Sequence, residues 1–339
     1  MGVRDIEYVE LYASESKSAL DYFVESLGFV AVAESEEPGR QSVLLAQGRV
    51  RILLTTGPDT REFLDTHGDG IADIALSCDD VAATYEAAMA AGARSAAGPG
   101  EAPVVSGFGS VRHTLLPVPD ASGTGLPTGR TWTELAPAGP PAGRIAALDH
   151  VAVCLEAGTL ADYTDYYTTA FGLPTYSAEY VAFGDQAMES VVVRSPSGGA
   201  TFTLIEPDKK KQAGQIDMFL DRNNGPGVQH LAFLVDDIVP AVHEFRERGV
   251  TFLSTPGAYY DLLAERFADL REEIQVLREA HVLADRDEWG YLLQLFTRSP
   301  YEHNTLFYEL IQRRGSRGFG SANIRALYEA VERDRLVGE

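Results

Sequence analysis

An internal repeat restricts the possible folds of this 339-residue chain more than any other feature. Asp5-Ile6-Glu7-Tyr8-Val9-Glu10-Leu11 is followed by a helix-patterned stretch, then Asp21-Tyr22-Phe23 and Leu27-Gly28-Phe29. The same order returns as Ala147-Leu148-Asp149-His150-Val151-Ala152-Val153, a helix-patterned stretch, Asp165-Tyr166-Tyr167 and Phe171-Gly172-Leu173. Gly70-Ile71-Ala72-Asp73-Ile74-Ala75 likewise matches Gly227-Val228-Gln229-His230-Leu231-Ala232, and Trp132-Thr133-Glu134-Leu135 matches Phe307-Tyr308-Glu309-Leu310. Two copies of one domain follow. Within each copy a βαβββ unit recurs, because apolar, β-branched runs bounded by Gly and Pro alternate with single helix-period stretches. The expected class is α+β: two tandem domains, each a cupped mixed sheet with its helices outside. Residues 1–136 form the first domain, the Pro/Gly/Ala run 137–144 a linker, and residues 145–339 the second domain. Residues 257–279 read as a helical insertion. Residues from Gly318 onward read as a helix covering the mouth of the sheet.

The repeat also singles out a chemistry. In the second copy His150, His230 and Glu309 each interrupt an apolar strand-like run, and alternation sets each on one face of its strand. Three such groups in one enclosure would each cost several kcal/mol if left unpaired, roughly the penalty for burying polar and charged groups. A divalent cation removes that cost, and two imidazoles plus one carboxylate leave open positions suited to non-heme Fe(II). The first copy carries Tyr8, Asp73 and Glu134 at the matching places, a poor divalent set, so one copy is expected to bind and the other to support it. The remaining histidines, His67, His113, His243, His281 and His303, fall in loop-like or helix-surface settings and read as ordinary.

Composition narrows the rest. The net charge of -22 opposes binding to nucleic-acid phosphates and anionic membrane surfaces. Cys78 and Cys154, one in each copy and both in apolar runs, argue against a disulfide and for a reducing compartment. With no secretory core and no apolar run long enough to span a bilayer, a cytoplasmic protein is expected. No nucleic acid or membrane partner is expected, and a homodimer is the working expectation for assembly.

At the three candidate metal strands, at Gly290-Tyr291-Leu292-Leu293-Gln294-Leu295-Phe296-Thr297 and at Gly318-Phe319-Gly320, the sequence resembles the 4-hydroxyphenylpyruvate dioxygenase family of the vicinal-oxygen-chelate superfamily. The resemblance covers nearly the whole chain. It implies Fe(II) held by His150, His230 and Glu309, with O2 and the 2-oxo acid 4-hydroxyphenylpyruvate as substrates. It carries over Ser190, Gln215, Gln294 and Asn323 as polar substrate contacts, and Phe307 and Phe319 as packing against the ring. Each amide has the alternative of being a satisfied core group. One branch of the family forms homogentisate; the other hydroxylates the benzylic carbon to give 4-hydroxymandelate. Thr203 and Ile205 stand where the homogentisate branch has Pro and Asn, and Tyr328 where it usually has Phe. These positions imply the hydroxymandelate branch, which supplies 4-hydroxyphenylglycine-type building blocks. The runner-up within the family is homogentisate formation. A non-catalytic small-molecule-binding relative is the alternative of another class.

Overall fold

The computed structural model describes residues 2–96, 102–119, 126–136, 143–320 and 323. Two eight-stranded mixed sheets carry the helices on their outer faces. The first sheet uses β1 (Val3–Tyr12), β2 (Val30–Glu37), β3 (Arg40–Gln47), β4 (Val50–Thr56), β5 (Gly70–Cys78), β6 (Val104–Ser106), β7 (Arg112–Pro117) and β8 (Thr133–Glu134), in the order β6-β7-β5-β1-β4-β3-β2-β8. The second uses β9 (Ile145–Cys154), β10 (Thr175–Phe183), β11 (Gln186–Arg194), β12 (Thr201–Pro207), β13 (Gly227–Val235), β14 (Leu283–Arg286), β15 (Tyr291–Phe296) and β16 (Phe307–Arg314), in the order β10-β11-β12-β9-β13-β16-β15-β14.

Seven strands correspond between the sheets, with β1, β5 and β7 of the first matching β9, β13 and β16 of the second. In each, the first two strands of the trio are antiparallel and the last two parallel. This overturns one element of the repeat. Glu134 is exposed on β8, which pairs with β2 at the opposite edge of its sheet, far from the strand that matches β16. Strand register, which four similar residues do not determine, instead puts Thr114 of β7 at the place of Glu309. The stretch 251–254 forms only an isolated bridge, Phe252 to Thr297.

The α-helices among the described residues include α1 (Ser16–Asp21), which continues as a π-helical turn over Tyr22–Ser26, α2 (Arg61–His67), α3 (Val81–Ala90), α4 (Leu160–Phe171), α5 (Gln215–Asn223), α6 (Ile238–Glu247), α7 (Gly257–Arg266) and α8 (Ile274–Ala280). The insertion is therefore helical, as its pattern predicts. α4 ends where Gly172 takes a left-handed φ of 67°, a conformation glycine adopts without a Cβ penalty.

The two copies lock into each other through these helices. Tyr22 stacks on Tyr308 of β16 with centroids 5.8 Å apart, and Phe23 packs edge-on to the same ring. Reciprocally, the Tyr167 hydroxyl of α4 reaches His113 Nε2 on β7 at 2.7 Å. His113 is thus a fully buried strand residue rather than a surface one, and burial lowers its pKa to about 4. His67 is also buried, bridging the Asn223 carbonyl and Ser110. Cys78 and Cys154 are buried free thiols. Among the described residues no helix is long and apolar enough to cross a membrane. Most of the 137–144 stretch, and the chain after Gly320 apart from Asn323, lie outside the described residues, so the covering helix and Tyr328 receive no structural account.

Candidate metal centre

His150, His230 and Glu309 sit on the adjacent strands β9, β13 and β16. Ala232 lies directly across from both His150 and Glu309, and Ala152 across from His230, so small side chains separate the large ones on the inner face. That spacing leaves room at the centre. His150 Nε2 and His230 Nε2 each stand 3.4 Å from Glu309 Oε2, and the three ligand atoms all lie within 4.8 Å of one another. All three residues are buried.

The hydrogen bonds around the group determine what it can hold. His150 Nδ1 faces Asp149 Oδ1 at 3.0 Å, and His230 Nδ1 faces Gln229 Oε1 at 3.1 Å. Both partners accept, so each ring carries its proton on Nδ1 and presents a bare Nε2 to the centre. Burial lowers the His230 pKa and outweighs the pull of Glu309, which keeps this ring neutral. Asp149 is in turn clamped by Arg313 through Nε at 2.7 Å and a second guanidinium nitrogen at 2.8 Å. Burial opposes the Asp149 charge, but the bonds from Arg313 and His150 hold its carboxyl well below the usual carboxylate range. Two imidazole lone pairs and a carboxylate oxygen converge with no proton between them, a donor set that fits a divalent cation.

A cavity of about 360 Å³ opens from this group. Ser190, Thr203, Ile205, Gln215, Gln294, Phe307 and Phe319 are among the residues that line it. Phe307 stacks on the His230 ring at 5.0 Å, and Phe319 meets the His150 ring edge-on at 5.3 Å. Gln294 and Asn323 are also tied to the metal group by hydrogen bonds. Gln294 Nε2 donates to Glu309 Oε1 at 2.7 Å, Asn323 Nδ2 donates to Gln294 Oε1 at 2.7 Å, and the Tyr259 hydroxyl donates to Asn323 Oδ1 at 3.1 Å. Asn323 thus stands behind Gln294, which itself lines the cavity.

Sequence reasoning missed Ser177, Glu179 and Val192, which line the same cavity. The signal was cross-strand register: Glu179 pairs with Ser190 and then Ile205, and Ser177 with Val192 and then Thr203, so both rows share one face. Thr203 Oγ1 and Ser177 Oγ are buried without a hydrogen-bond partner among the described residues.

In the first copy the matching positions are joined by hydrogen bonds instead. Tyr8, Asp73 and Thr114 occupy the corresponding positions, and Thr114 donates to Asp73 through its backbone N–H at 3.0 Å and through its hydroxyl. A buried Arg130 guanidinium fills the adjoining space, pairing with Glu10 and donating to Ser42 and Thr55.

Two family models match the chain. Residues 1–116 match the family described as "Hydroxyphenylpyruvate dioxygenase, HPPD, N-terminal", and residues 147–295 match the "Glyoxalase/Bleomycin resistance protein/Dioxygenase superfamily". The chain is 31% identical to a 4-hydroxyphenylpyruvate dioxygenase of Yarrowia lipolytica, covering 98% of this chain and 92% of the relative. It is 30% identical to one of Dictyostelium discoideum, covering 97% of each. A solved triple variant of 4-hydroxymandelate synthase from Streptomyces coelicolor superposes with a TM-score of 0.91 at 50% identity, over 99% of this chain and 100% of that one. Two tandem domains, a buried His-His-Glu group in the second, and full-length similarity to these enzymes place the chain in the 4-hydroxyphenylpyruvate dioxygenase family of Fe(II)-dependent oxygenases.

Proposed function

We propose that the protein converts 4-hydroxyphenylpyruvate and O2 to 4-hydroxymandelate and CO2, with His150, His230 and Glu309 as the Fe(II) ligands. The observation that carries this reading is the apolar Ile205 on the cavity wall, across from Ser190 in register, where a ring-holding amide would favour attack on the ring. The S. coelicolor synthase adds support. The three residues replaced in its variant are a Ser, a Val and a Tyr, and this chain has the same residue types at the same spacing in Ser190, Val192 and Tyr328.

Fe(II) bound to the three ligands would supply a centre that chelates a 2-oxo acid and activates O2. The chain's own groups provide the rest. Asp149 fixes the tautomer and ring plane of His150, and Gln294 holds Glu309 with one oxygen free for the metal. Phe307 and Phe319 flank the position a substrate ring would take and exclude water from it. Ile205 offers that ring no hydrogen bond, so the ring settles by packing alone and presents its benzylic C–H. A shift of about 1 Å in such a pose changes relative rates about a hundredfold, enough to select one product.

Homogentisate formation is the second reading, favoured by the names of the sequence relatives. The two products are isomers, so chromatography against standards, or NMR of the reaction mixture, separates them. 4-Hydroxymandelate as the main product supports the proposal, and homogentisate as the main product refutes it.

A further inference from the structure

The chain carries 50 acidic against 28 basic residues, yet the proposed substrate is an anion that such a field repels. A cleft near the metal group reverses the sign locally. This cleft of about 630 Å³ is lined by Arg49, Arg194, Arg313 and Arg317, with Asp149 as the acidic residue among its described lining. Asp149 is already held by the two-pronged bond from Arg313. Among the described residues Arg194 and Arg317 form no ion pair, Arg49 lies near enough to Asp5 for its charge to act on that carboxyl, and Arg194 Nε is buried without an acceptor among them. Stacking rather than charge pairing positions two of these guanidiniums: Arg194 lies 5.1 Å over the Tyr176 ring and Arg317 5.2 Å over Trp289. Their N–H donors therefore stay available, in planes that suit a carboxylate.

The cleft adjoins the metal group. Phe319 lines both the cleft and the substrate cavity, edge-on to His150 on one side and 5.2 Å beneath the Arg313 guanidinium on the other. A single aromatic ring thus separates a cationic basin from the His-His-Glu centre.

We propose that this cleft is an anion vestibule, which collects 2-oxo acids by their carboxylate and passes them around Phe319 to the metal group. The proposal rests on the functional reading above only in taking a 2-oxo acid as substrate; which product forms plays no part. A local cationic basin raises association rates by roughly ten- to a thousandfold, and salt screens the effect.

The test is stopped-flow association of 4-hydroxyphenylpyruvate with the Fe(II)-loaded full chain in the absence of O2, read by tryptophan fluorescence at several ionic strengths. Arg317→Gln, an exposed change, and the double variant Arg194→Gln/Arg317→Gln are compared with wild type, and Lys209→Gln reports the effect of net charge alone. The expected result is an association rate about tenfold lower in the double variant, a flattened salt dependence, a dissociation rate changed by less than twofold, and a smaller effect of the same sign in Arg317→Gln. Association as fast and as salt-dependent in the double variant as in wild type overturns the vestibule, as does an equal loss in Lys209→Gln. A wild-type chain that does not bind the oxo acid at all overturns the functional reading as well, so the two failures are distinct.

Discussion

Gln294 donates its side-chain amide to Glu309 Oε1 at 2.7 Å, while the other oxygen of that carboxylate faces both imidazoles. The amide sets the rotamer of a buried ligand, and Asn323 sets the rotamer of the amide. Gln294→Leu should weaken Fe(II) affinity about 10- to 100-fold, the usual cost of losing such a supporting contact. Asn323→Leu should have a smaller effect in the same direction. Anaerobic metal titration checks both. Unchanged metal affinity with a raised KM would instead make the two amides substrate contacts.

Arg313 and Asp149 support the other side of the centre. Arg313→Met leaves the Asp149 carboxylate buried without its countercharge and should cost about 3–5 kcal/mol of stability. The pH dependence has a defined sign. The folded pKa of Asp149 is depressed, so its contribution is fully present above its unfolded value of about 4 and is lost as the pH falls through the folded value. Urea unfolding of wild type and Asp149→Asn should therefore differ most above about pH 5 and converge in strong acid. A difference that grows with acidification would contradict this.

The first copy should show the opposite trend. Burial, aided by the nearby Glu10 charge, raises the Asp73 carboxyl to about 7 against the bonds from Thr114. The folded state thus holds a proton that the unfolded state releases near pH 4, and this group's contribution to stability declines as the pH rises from about 4 to 7. Asp73→Asn removes the titration, so its stability relative to wild type should climb across that window and level off above it. A flat difference between pH 4 and 8 in unfolding experiments would refute the shift.

Ile205→Asn introduces an amide at the ring wall. Product analysis should then show some flux diverted from 4-hydroxymandelate to ring-derived products, and unchanged product ratios would place the determinant elsewhere.

Much of this was legible in the sequence because it is local. Alternation around His150, His230 and Glu309, the aromatic-Gly helix ends and the repeat itself need only neighbouring residues. Contacts made across strands were not legible. Glu134 resembles Glu309 in its neighbours, but Thr114 holds the matching place because β5 pairs with β7 in that register. His113 looked like a surface residue until β7 was packed against α4. Gln294 and Asn323 stood out as polar residues in apolar surroundings, yet their partners are each other and Glu309, a relation set by the pairing of β15 with β16. Arg49, Arg194 and Arg317 are too scattered along the chain to be seen as one cleft before folding.

Anaerobic Fe(II) binding stoichiometry tests the central claim most directly, because the duplicated scaffold is held to keep one metal group, in the later copy. One Fe(II) per chain is expected, lost in His230→Ala and retained in Asp73→Asn. Two ions per chain, or one that survives His230→Ala, would contradict the account.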